Sequence, residues 1–68
     1  MGKIISTKRD AEEAFDVLLR CQENLGYIPE EVLTTVRDSV NLGYKGCKLH
    51  FYKLLARNPE IMKEFYKE

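Results

Sequence analysis

Residues 22–33, Gln22-Glu23-Asn24-Leu25-Gly26-Tyr27-Ile28-Pro29-Glu30-Glu31-Val32-Leu33, spell one helix stopping and another starting. Gly26 tolerates the left-handed conformation just past a helix end, and Pro29 is pre-set for a first helical position, where no amide donor is required. Glu30 and Glu31 then occupy the first turn, where the aligned peptide dipoles favour negative charge. Upstream, Asp10 and Glu13 have the spacing of a capping box in an Asp-headed form. They lead into Ala11, Ala14, Phe15, Leu18, Cys21 or Gln22, and Leu25, a stripe at helical spacing that ends at Gly26.

The second helix is expected to begin near Pro29, to bury Val32, Leu33, Val36 and Val40, and to stop at Asn41-Leu42-Gly43. A third runs from about Gly46 to Arg57, with Cys47, Phe51, Leu54 and Leu55 on one face. At about 100° per residue, Leu49, Tyr52 and Ala56 form a second apolar strip away from the first. A helix with two apolar faces is central to its bundle or shares one face with another chain. Asn58-Pro59-Glu60 reads as cap, first position and acidic first turn of a last helix carrying Ile61, Met62, Phe65 and Tyr66. Residues 1–8, with Ile4-Ile5, are expected to form an extended arm. No repeat or low-complexity linker interrupts the chain, so the expected fold is all-α: one domain over residues 1–68, a small bundle of four short helices.

The chain has 68 residues, 44% of them hydrophobic and 32% charged, which is the composition of a helical globular protein and not of a disordered one. Core burial in so small a domain only narrowly exceeds chain entropy, so a partner surface would help and a buried active site has little room. No apolar run approaches the roughly 20 residues needed to cross a bilayer, and no membrane role is expected. Met1-Gly2-Lys3-Ile4-Ile5-Ser6 is too short an apolar run for a secretion signal; Gly2 and Ser6 fit the myristoylation pattern, without a second anchor. Cys21 and Cys47 lack metal-ligand spacing, and a small secreted domain usually carries more bridges. The expectation is a reduced, cytoplasmic protein with buried thiols, no metal and no cofactor.

His50 stands three residues after Cys47, a spacing that can share a helix face. A nucleophilic thiol would also need an electropositive, accessible setting and an oxyanion-stabilising group, so a non-enzymatic chain is expected. The acid pairs Glu12/Glu13 and Glu30/Glu31 are explained by the helix dipole. Gly43-Tyr44-Lys45-Gly46 has neither the glycine spacing nor the preceding strand of a nucleotide loop.

Net charge is zero, yet residues 1–42 hold five Lys/Arg against eight Asp/Glu and residues 43–68 hold six against three, so the halves carry −3 and +3. From Tyr44 to Arg57 the cations Lys45, Lys48, Lys53 and Arg57 are interleaved with Phe51 and Tyr52 and no acid. The expected contact surface is the third and last helices. Leu49 and Tyr52 would supply apolar contact and the four cations electrostatic steering for a protein partner or a second copy; Phe65 and Tyr66 are expected in the core of so small a domain, with aromatic anchors as the alternative role. The alternative is a helix-turn-helix regulator placing the same cations on DNA phosphates, with Ser39, Leu49 and Tyr52 at its packing positions. Asp38 falls where that motif wants an apolar residue.

The phrase at residues 22–33, preceded by an amphipathic helix and followed by Phe51-Tyr52, resembles the N-terminal helical region of one redox family. This is the thioredoxin-like [2Fe-2S] subunit of NADH:quinone oxidoreductase and of related NAD(P)-linked hydrogenases and formate dehydrogenases. The resemblance covers roughly residues 11 to 55. The segment Tyr44-Lys45-Gly46-Cys47-Lys48-Leu49-His50 departs from that family's small and aliphatic run. The cluster-binding domain has no counterpart here, and Cys21 and Cys47 do not match its cysteines. What the resemblance implies is a helical docking or accessory piece of a redox complex, without the cluster.

Overall fold

The computed structural model describes residues 4–66. They form four helices: α1 (Lys8–Leu25), α2 (Glu30–Leu42), α3 (Lys45–Ala56) and α4 (Pro59–Phe65). Residues 1–3, including Gly2 of the myristoylation pattern and the start of the expected arm, lie outside the described residues. Among the described residues there is no strand, and no helix is long and apolar enough to cross a membrane.

Helix α1 starts three residues earlier than its stripe announces. Thr7 is the N-cap, its Oγ1 accepting the Asp10 N–H at 3.0 Å, while the Asp10 carboxylate accepts the Thr7 N–H at 3.2 Å. The box is therefore Thr7 with Asp10, and the expected Asp10–Glu13 pairing is corrected: Asp10 already lies inside the helix, where its own N–H is a capped donor. The same carboxylate accepts the Ser6 N–H at 3.1 Å and the Ser6 hydroxyl at 3.0 Å. At the other end Gly26 is left-handed, with φ +82°, and its N–H donates to the Gln22 carbonyl at 3.0 Å. Leu25 was expected inside, but the chain turns there, leaving Leu25 54% exposed and carrying Ile28 into the core instead.

Helix α2 begins with Pro29 as its N-cap, one position before the expected one, and Glu30 and Glu31 fill its first turn. Gly43 caps its C-terminal end in an extended conformation, and a glycine is needed there for a steric reason. A Cβ there would sit 2.7 Å from both the Cβ and the carbonyl oxygen of Ile5, whose carbonyl accepts the Tyr44 N–H at 3.2 Å. The N-terminal segment is thus pinned against the α2–α3 junction through buried Ile5. Asn58 is the N-cap of α4 by position, yet its side chain reaches back, Nδ2 donating to the Leu54 carbonyl at 3.1 Å.

The core joins Ala11, Phe15 and Leu18 of α1, Leu33, Val36 and Val40 of α2, Cys47, Phe51 and Leu55 of α3, and Ile61 and Phe65 of α4. Helix α1 packs chiefly on α3. Phe51, fully enclosed, meets the Phe15 ring at 6.2 Å and 74° and the Phe65 ring at 5.4 Å and 55°. Cys21 and Cys47 are free thiols, Cys47 buried in the core.

Two substitutions separate the reasons for the glycines. Gly43→Ala should cost about 1–3 kcal/mol through the clash with Ile5. Gly26→Ala meets no neighbouring atom and should cost about 1–2 kcal/mol through left-handed strain alone. Urea unfolding of each variant, together with an Ile5→Ala background, checks this: alanine keeps the Cβ, Cα and carbonyl oxygen that a side chain at Gly43 would meet, so the background should leave both penalties in place.

The Asp10 carboxyl is held below its ordinary range, first by the Ser6 N–H, then by the Ser6 hydroxyl and the Thr7 contacts. A carboxyl whose folded value is depressed stabilises the fold above its unfolded value, near pH 4. That contribution is lost as the pH falls through the lower folded value. Asp10→Asn should accordingly be less stable than the parent at pH 7, with the difference shrinking toward pH 3 in paired urea titrations.

Candidate functional site

The eight residues expected at a contact surface divide into three groups. The first is a strip on α3. With the Cys47, Phe51 and Leu55 face turned inward, the 100° step per residue places Leu49 near the middle of the opposite side, Lys45 and Lys53 one turn before and after it, and Ala56 alongside. Leu49 is 54% exposed, and Lys45, Lys53 and Ala56 are exposed as well. Lys48 and Arg57 fall on the two flanks of the helix, Lys48 half-buried and Arg57 at its C-terminal cap. Among the described residues none of these four cations pairs with a carboxylate. Among the described residues, the one ion pair joining the acidic half to the basic half is the His50 Nε2–H donating to Glu12 Oε2 at 3.1 Å, between α3 and α1.

The second group is aromatic. Tyr52 is half-buried and its ring stacks on that of Tyr66 at 6.5 Å and 16°, so the expected second strip of α3 is split: α4 claims Tyr52 and leaves Leu49 bare. Tyr66 remains 59% exposed, and its phenol is held above its ordinary value by desolvation and then by the neighbouring Tyr52 phenol. The two rings edge an open cleft of about 650 Å³ between α2 and α4 that also carries Arg37 and Glu64.

The third group is Phe65 alone. At 1% exposure it is a core residue packed on Phe51, so an anchoring role for it is corrected: in the folded bundle its ring has no surface to offer. Its position is fixed by a residue that the sequence pattern did not single out. The Arg37 guanidinium lies 5.2 Å above the Phe65 ring and donates a hydrogen bond to the Phe65 carbonyl, satisfying a last-turn acceptor of α4.

For a helix-turn-helix, α2, Gly43-Tyr44 and α3 have the right order and Ser39 is buried, but Leu49 stands in solvent where that motif packs it. For thiol chemistry, Cys47 lies in the core and His50 is turned to Glu12. No three His, Cys, Asp or Glu side chains gather as metal ligands among the described residues. No family model, curated protein or solved structure matches the chain.

Because Arg37 reaches α4 from α2, Arg37→Met should loosen α4 selectively. Hydrogen exchange should speed up at the Met62–Tyr66 amides while the mid-helix amides of α1 keep their protection; equal loss in both would make Arg37 a general core residue instead.

Proposed function

We propose that this chain is a non-enzymatic helical interaction module whose α3–α4 surface binds another protein surface, a second copy of itself first. The observation that carries this reading is Leu49, a large apolar side chain left in solvent between Lys45 and Lys53 although the core beneath it is complete. An apolar centre flanked by unpaired cations suits a contact in which burial supplies affinity and charge supplies orientation. Tyr66, stacked on Tyr52, extends the same surface onto α4. The resemblance over residues 11–55 accords with service as an accessory piece of a redox assembly, where such a surface would meet a neighbouring subunit.

Light scattering coupled to size exclusion tests the reading on the whole chain. The parent should associate with rising concentration, and Leu49→Gln should abolish association while keeping the parent's helical circular dichroism. Loss of the helical signal in Leu49→Gln, or unchanged association, would contradict it. Duplex DNA binding that falls steeply with salt and is lost in Lys45→Gln/Lys53→Gln would replace it with the regulator reading.

A further inference from the structure

On the far side of the bundle, α1 and α2 leave an open groove of about 420 Å³. Ala14 and Val17 form one wall and Val32 and Val36 the other, with carboxylates at the rim, Glu13 on α1 and Glu31 on α2; no Lys or Arg lines it. Val17 is 45% exposed, an apolar side chain open to solvent at the groove wall. Glu13 has Arg9 at 3.5 Å in a fully surface pair, and Glu31 has no cation partner among the described residues. Such exposed pairs are weak and exchange readily.

The groove and the α3 strip are opposites. One is an apolar trough between carboxylates on two walls; the other is a leucine between two lysines, each about 6 Å away along the helix. Among the described residues His50–Glu12 is the one side-chain ion pair between the −3 and +3 halves of the chain, so most of this charge complementarity goes unused within one molecule. Leu49 points to solvent on α3 and cannot enter the groove of its own chain.

We propose that the α1–α2 groove is the docking site for α3 of a second copy of this chain, Leu49 entering between Val17 and Val32 while Lys45 and Lys53 meet Glu13 and Glu31. The proposal rests on the self-association reading and fixes its geometry. Strip and groove lie on opposite faces of the bundle, so two copies cannot make both contacts at once and the contact is heterologous: each copy keeps one free strip and one free groove, and association continues beyond the dimer as chains or closes as a ring. The contact is small and belongs to the weak, salt-sensitive class.

A mixing experiment tests it. Val17→Lys places a cation in the groove and leaves the strip intact; Leu49→Gln removes the anchor and leaves the groove intact. Both positions are exposed, so both variants should fold, as circular dichroism would verify. In sedimentation equilibrium the parent should grow past dimer, and each variant alone should associate about tenfold more weakly or worse. Their equimolar mixture should form a one-to-one dimer and stop, because one working strip meets one working groove. Val17→Lys associating like the parent while Leu49→Gln does not would overturn the groove and leave the self-association reading standing. A parent that stays monomeric at millimolar concentration would overturn both. A mixture in which both variants remain monomers would mean a symmetric contact and overturn the head-to-tail geometry.

Discussion

Phe51 between Phe15 and Phe65 is the contact on which the rest of the bundle depends, because it joins α1, α3 and α4 at one point. A domain of this length is stabilised by only about 3–10 kcal/mol in total. Truncating one enclosed phenylalanine typically removes about 3–5 kcal/mol, so this single ring is comparable to the whole margin. Its inward orientation also decides what α3 shows to solvent. Leu49 precedes Phe51 by two residues, about 200° round the helix, and is therefore driven outward by the same constraint that buries Phe51. The exposed leucine is a geometric consequence of the core and not a packing defect.

A second constraint acts at the opposite edge. Ile5 must lie against Gly43, where no side chain fits, and its carbonyl takes up the Tyr44 amide at the start of α3. The Thr7–Asp10 box then turns the chain directly into α1. Ile5 also lines one end of the α1–α2 groove, so the interaction that anchors the N-terminal segment shapes the trough as well. Core, segment and groove form one mechanical unit, with the α3 strip on its other face.

The junctions were the most legible part of the sequence. Gly26, Pro29, Gly43 and Pro59 act through backbone conformation, which is local and survives any tertiary context. The four helices and most of the buried stripe followed from them. Thr7 was missed because an aspartate at the third helical position is a less familiar closing residue than glutamate, and Asp10 itself resembles a cap. Leu25 left the core and Ile28, to which the stripes assign no role, entered it, because periodicity does not register where a turn redirects the chain. Phe65 and Tyr66 are adjacent and chemically alike, and size alone argues that both are core; the Arg37 contact and the Phe51 ring place only Phe65 there and leave Tyr66 at the surface. The groove could not be read at all: Val17 and Val32 sit at the margins of their stripes, and a trough depends on helix spacing that no single helix encodes.

If Leu49 on α3 and the α1–α2 trough are the two halves of one intermolecular contact, both must respond together to dilution. The most direct measurement is an amide and methyl NMR dilution series of the parent chain, from millimolar to low micromolar concentration. The Leu49 and Val17 methyl signals and the amides of Lys45, Lys53 and Glu31 should shift together along one binding curve. Signals around Phe51 should stay fixed. Concentration-independent spectra, or shifts confined to the α3 strip with Val17 and Glu31 silent, would contradict it.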